Sequence, residues 1–292
     1  MVAENRTQDG KPKTRERRGK RMVNRALTLP YQRIWEDSLT IFWRDWLDLR
    51  GRVWQVVASG LVAPLIYIVA FGVGLGGSLR AEALAEVAGS TAAGSYLRFI
   101  LPGMVALSAM TISFAGTTFS ICGSRLFTKS FEELLLLPVH PLSLHLGKVL
   151  AGIARGLLTA LGVLAVGVLG TGAWGLLHPL SLLVLLLDCA VFAGIGVIAG
   201  LKVPSLESVG VLTNFLITPM SFLGATFFDP AQLPTYLQVL VYCLPLSYAS
   251  IGMRAAAYQP LAEFPWYTVG VLGGLAVILA FVGAYLFSHQ QD

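Results

Sequence analysis

Between Arg52 and Arg80 the sequence places no charged residue. An apolar run of about 20 residues is what a helix needs to cross a hydrocarbon core roughly 30 Å thick, and a helix satisfies its own backbone there. The same condition is met at 100–121, between Arg98 and Arg125, and at 209–228, between Glu207 and Asp229. It is met again at 149–169, interrupted only by Arg155, at 180–201, interrupted only by Asp188, and at 266–287. With 53–75 these make six expected transmembrane helices, and an all-α polytopic membrane protein is the expected fold class. Composition agrees: 13% of the residues are charged, where a water-soluble domain carries about 25%.

Residues 230–253 are also uncharged and long enough to span, but Pro234 and Pro245 divide them. Proline interrupts the backbone ladder that lipid demands, so the expectation here is a short outer re-entrant helical pair before the last span. Residues 1–29 read as a disordered basic arm, with Arg6, Lys11, Lys13, Arg15, Arg17, Arg18, Lys20, Arg21 and Arg25 crowded together and no apolar run at signal-peptide distance. Residues 30–52 read as an interfacial amphipathic helix. Tyr31, Trp35, Leu39, Phe42, Trp46 and Leu49 recur on one stripe, and Arg33, Asp37, Arg44 and Asp48 lie opposite. Lysine and arginine counting sets the orientation. The arm, Arg125, Lys129, Lys148 and Lys202 fall on one side, and only Arg80, Arg98 and Arg254 on the other. The positive-inside rule therefore puts both termini in the cytoplasm of a bacterial inner membrane, with the arm against anionic lipids rather than nucleic acid.

No enzyme constellation is visible. Cys122, Cys189 and Cys243 stand apart in apolar stretches, and His140, His145, His178 and His289 read as loop or tail residues with no metal-ligand spacing. The stretch from Gly123 to Ser130 approaches a phosphate-binding loop but has Thr128 where that loop needs glycine. The segment 129–137 is more informative. Phe131, Leu134, Leu135 and Pro138 make a short apolar face, and Glu132 and Glu133 sit near the helix start, where its dipole favours acids. Such a face either folds back on the chain's own spans or enters a groove on another subunit. Arg155 and Asp188, the two charges within spans, mark a possible translocation path. Their depths differ: Arg155 is placed to snorkel toward the cytoplasm and Asp188 to line a polar interior. Gly72 with Gly76, Gly196 with Gly200, and Gly270 with Gly274 permit close helix approach and are compatible with a homodimer.

In order and spacing these features resemble the ABC-2 type permeases, the membrane subunits of ATP-binding-cassette exporters. The resemblance runs from about residue 29 to the C-terminus. It is carried by Pro102 and Gly103 opening the second span, by Phe131-Glu132-Glu133-Leu134 ending at Pro138, and by Leu146-Gly147-Lys148 entering the third span. Pro219 through Gly224 in the fifth span continue it, as do Leu233-Pro234, Pro245-Leu246-Ser247-Tyr248 and Arg254 in the outer region. The resemblance implies two copies of this chain, as a homodimer, or this chain with a similar permease partner, working with two cytosolic ABC ATPase subunits. ATP and magnesium would be held on those partners, with no cofactor on this chain. It further implies that Lys129, Phe131, Glu132, Glu133, Leu134, Leu135 and Pro138 form the coupling helix seated on the ATPase. The cargo class would be polysaccharide, lipid-linked or amphiphilic, moved outward. A stand-alone secondary transporter or channel is the alternative, and an intramembrane enzyme is disfavoured by the missing catalytic groups.

Overall fold

The computed structural model describes residues 31–70, 92–127, 130–136 and 139–291, and among these residues there is no strand. The order is α1 (Tyr31–Arg50), α2 (Val53–Val69), α3 (Ala92–Leu126), α4 (Ser130–Leu136), α5 (Pro141–Thr171) and α6 (Pro179–Lys202). Then come α7 (Leu206–Leu223), α8 (Thr235–Tyr242), α9 (Pro245–Tyr258) and α10 (Trp266–Gln291). Helices α3, α5, α6, α7 and α10 are each long and apolar enough to cross a membrane. They fall on five of the six expected spans, and α2 supplies the described part of the first. The remainder of that span, with Gly72 and Gly76, and the basic arm 1–29 lie outside the described residues. Helix α3 has 35 residues, about 50 Å of helix. It therefore exceeds the hydrocarbon core, and its ends carry Arg98 and Arg125 beyond the apolar run.

Helices α3 and α6 form the centre and α5 packs on both. Close approach is built from small residues. A Cβ on Gly196 would stand 2.7 Å from the Phe114 carbonyl oxygen, and one on Gly200 would stand 2.9 Å from the Ile121 Cβ. Thr118 Oγ1 donates across the same seam to the Gly196 carbonyl at 3.2 Å. The Gly196/Gly200 pair is thus used inside one chain rather than left for a second copy. Around Gly270 and Gly274, by contrast, an added Cβ would meet open space. Gly196→Val is expected to separate α3 from α6 and to abolish a monodisperse peak in detergent size-exclusion; an unchanged peak would show that the seam yields.

Two helices begin on the same short sequence. His140 and His178 each accept a backbone N–H on Nδ1, from Leu142 at 3.1 Å and Leu180 at 3.3 Å, and each is followed by a proline in the first turn. The residues His140-Pro141-Leu142-Ser143-Leu144 recur as His178-Pro179-Leu180-Ser181-Leu182. Imidazole serves here as the N-cap, a role usually taken by a short oxygen side chain. These two histidines are therefore helix caps rather than free loop residues. Burial pushes the His140 imidazole below its ordinary pKa, which keeps Nδ1 available as an acceptor.

Helix α1 docks on α5, and the Trp35–Leu39 part of the aromatic stripe stays outside the contact. Ile34, Ser38, Ile41, Asp45 and Leu49 are buried, while Trp35, Leu39, Trp43 and Leu47 are exposed. Gly147 lets the helices touch: a Cβ there would stand 2.7 Å from the Ile41 Cβ and 3.0 Å from the Ser38 carbonyl oxygen. Helices α8 and α9 meet at 91°, because Pro245 starts a new helix and leaves no N–H to continue the old one.

Candidate functional site

At the end of the bundle that carries Arg125, Lys148 and Lys202, the short helix α4 lies on a platform drawn from several helices. Phe131 and Leu134 are buried there with Ile41 of α1, Ile121 of α3, Leu144 of α5, Leu201 of α6 and Phe287 of α10. The Phe131 and Phe287 ring centres are 6.1 Å apart, and His145 meets the Phe287 ring edge-on at 6.5 Å. His145 is thus a buried core residue of α5 rather than a loop residue. Arg125 joins the same assembly. Its guanidinium carbon is 6.0 Å from the centre of the Phe131 ring, and Nη1 donates to the carbonyls of Gly200 at 2.9 Å and Leu201 at 2.6 Å. Carbonyls at a helix C-terminus lack partners within the helix and attract cations, so Arg125 closes the end of α6 while touching α4.

This placement changes which side chains can meet another protein. The family resemblance puts Phe131 and Leu134 on the partner contact, but they take the other course open to such a face and turn into their own chain, over Phe287 and Leu144. Outward stand Glu133 and Leu136, the latter 85% exposed. Lys129 and Pro138 lie outside the described residues, as do the side chains of Glu132 and Leu135.

The platform is tied to α1 by a charge pair that sequence reasoning missed. Lys148 Nζ donates to Asp45 Oδ2 at 2.7 Å, with both side chains about 5% exposed or less. Arg44 Nη2 approaches the other oxygen, Oδ1, at 3.3 Å. The available signal was Asp45 falling on one helix face with Ser38 and Ile41, at steps of three and four.

Arg155 and Asp188 are not brought together. Arg155 is half-buried and donates through Nη1 to the Gly116 carbonyl at 2.8 Å. It lines a cleft of about 670 Å³ between α1, α2, α3 and α5, with Asp48, Arg52 and Ser59. Asp188 is fully buried beside Cys189 on α6, and among the described residues neither of its carboxyl oxygens has a hydrogen-bond partner. Asp188 does not line that cleft.

At the opposite end, the motif residues converge on the break that follows α7. Gly103, beside Pro102 in α3, leaves room for Thr226, whose Cα would be 2.8 Å from an added Cβ. A Cβ on Gly224 would collide with Leu246, which Pro245 places at the start of α9. Ala225 adopts φ 56°, a left-handed conformation that costs a residue with a Cβ. Arg254 holds it there, donating from Nη2 to the Ala225 carbonyl at 2.9 Å and from Nε to the Phe99 carbonyl at 3.2 Å. The same guanidinium sits 3.8 Å from the centre of the Phe99 ring. Pro219 acts within α7, where residues Thr213–Ile217 form a π-helical turn just before it. A proline removes one N–H and crowds the preceding turn, and a widened turn accommodates both effects.

Residues 37–258 match the family model described as ABC-2 type transporter. The inner membrane transport permease YadH of Escherichia coli (strain K12) is 26% identical over 221 residues, covering 76% of this chain and 80% of that protein. Nodulation protein J of Rhizobium meliloti (strain 1021) is 29% identical over 256 residues, covering 86% of this chain and 93% of that one. Nodulation protein J of Rhizobium leguminosarum bv. viciae is 26% identical over 237 residues, or 80% and 87% respectively.

Proposed function

The chain belongs to the ABC-2 type transporter family, a multi-pass inner-membrane permease subunit that associates with an ABC ATPase, and from that premise we propose that it is the transmembrane half of an exporter. Two copies of the chain, each with one cytosolic ATPase, move a polysaccharide, lipid-linked or amphiphilic cargo outward. ATP and magnesium are held by the ATPases, and the basic N-terminal arm lies against anionic lipid on the cytoplasmic face.

The observation that carries this reading is the construction of α4. Its inner face is packed against residues of α1, α3, α5, α6 and α10, while Glu133 and Leu136 face out. An exposed leucine beside an acid, on a helix braced from below, suits insertion into a groove on a partner. A load applied at Leu136 reaches the bundle through Phe131, Phe287 and Arg125 without crossing a loose segment. In this reading α4 is the coupling helix, its contact made by Glu133 and Leu136 and its anchorage by Phe131 and Leu134.

The test is co-purification of the tagged chain from membranes in mild detergent, with ATPase activity as the readout. A stoichiometric P-loop ATPase is expected with the unaltered chain. Leu136→Glu is expected to weaken its retention about ten-fold or more, as truncating a central interface anchor does, while the chain remains inserted and monodisperse. Recovery of the chain alone across several detergents, with no ATPase, would replace this reading with that of a stand-alone carrier.

A further inference from the structure

We propose that the cleft beside Arg155 takes the anionic head of a membrane amphiphile, phosphate or carboxylate in chemistry, whose hydrocarbon tail lies along the seam of α2, α3 and α7. The inference deepens the permease reading, and its consequence for transport rests on that reading.

The cleft has a polarity gradient. At one end Arg52 and Arg155 face a single acid, Asp48. Among the described residues Arg52 makes no ion pair, and Arg155 commits Nη1 to the Gly116 carbonyl, leaving the rest of its fork available. A planar guanidinium matches phosphate and carboxylate oxygens two at a time. Arg155 lies seven residues beyond Lys148, about 10 Å along the helix, a depth suited to a lipid headgroup.

From there the space continues. A second cavity of about 350 Å³ shares Ser59 and Ile112 with the first and runs past Tyr67, Leu107, Phe222 and Phe227. Of the six hydroxyl residues that line it, four are already engaged as donors. Ser59, Ser108, Thr111 and Ser221 donate to the carbonyls of Val56, Met104, Leu107 and Ile217, all within 2.8 Å and all on the preceding turn. Those four therefore offer no free donor to an occupant. A glycan strand, which needs donors and acceptors along its length, is poorly served by such a wall, whereas a hydrocarbon chain is well served. A second copy of this chain would have to cover two guanidinium groups with helix surface, a cost that an anionic head avoids.

Native mass spectrometry of the full chain in detergent tests this, with dioleoyl phosphatidic acid, dioleoyl phosphatidylcholine and inorganic phosphate as probes. Phosphatidic acid should be retained over phosphatidylcholine. Arg52→Gln, at an exposed side chain with no partner to strand, should lower that retention about ten-fold, the scale of one lost charge-assisted bond. Ala63→Phe, which blocks the tail space and leaves both arginines in place, should lower it as well, and Lys202→Gln should not. Equal retention of the two lipids, or no response to Arg52→Gln, would overturn the headgroup assignment. Competition by inorganic phosphate at the lipid's own concentration would overturn the tail assignment. An intermolecular disulfide formed by Ser59→Cys in a Cys243→Ser background, with lipid retention unchanged, would give the cleft to a second copy. Loss of ATPase co-purification with lipid selectivity intact would sink the permease reading alone, and the converse would sink only this one.

Discussion

An Asp45→Ala protein is expected to lose about 3–5 kcal/mol of stability, the cost of leaving one member of a buried ion pair without its partner. Lys148 Nζ has Asp45 as its acceptor at 2.7 Å in a place closed to water, so removing the carboxylate strands an ammonium between α1 and α5. The reverse variant, Lys148→Met, should be milder. Asp45 keeps Arg44 at 3.3 Å, and the Arg44 side chain is 45% exposed and can follow it. Replacing both at once, Asp45→Leu with Lys148→Met, should recover most of the loss, since an apolar pair of similar volume can substitute for a buried ionic one. Thermal unfolding in detergent, followed by size-exclusion, gives the ordering directly. Equal stability of Asp45→Ala and the unaltered chain would show that water reaches the pair.

The second large effect is expected at Asp188, and it should take opposite signs in stability and transport. Two buried carboxyl oxygens without partners among the described residues cost free energy, so Asp188→Leu should raise the unfolding midpoint, by the equivalent of about 1–3 kcal/mol. The same substitution is expected to abolish ATP-driven transport in reconstituted vesicles, because a group retained at a stability cost is characteristic of a functional site. Asp188→Asn should keep the fold and alter transport. A stabilised protein that still transports would make Asp188 a residue of structure alone.

The spans could be read from the sequence because charge exclusion acts locally: Arg98 and Arg125 bracket α3 without reference to anything else in the chain. The outer motif residues were recognisable as a set, but their meeting point was not. Arg254 reaches the Phe99 carbonyl across 155 positions of sequence, and periodicity carries no information over such a distance. The docking of helix α1 was hidden for a different reason. Its most hydrophobic stripe runs through Trp35 and Leu39, yet the side packed on α5 contains Ser38 and Asp45, which average hydrophobicity disfavours. What decides the docking is Gly147, whose missing side chain admits Ile41, together with a lysine one residue further on. Phe131 and Leu134 were correctly seen as an apolar face, but the sequence could not show that Phe287, at the far end of the chain, lies beneath them. The His-Pro caps could have been found by comparing residues 140–144 with 178–182, since the five residues are identical.

The widened turn in α7 has a mechanical consequence. A helix with a π-helical turn carries a surplus residue, which can migrate along the helix by exchanging one set of backbone hydrogen bonds for the next. Each step turns the residue it passes by about 100° at the cost of few bonds. Because α7 is only lightly covered by its own bundle, with 17% of its apolar window buried, little side-chain packing resists such a turn. Pro219 follows the surplus on its C-terminal side, and Arg254 fixes the segment beyond the end of the helix. A surplus that moved past Pro219 would turn Ser221 and Phe222, both of which line the cavity along the seam, without tilting the helix.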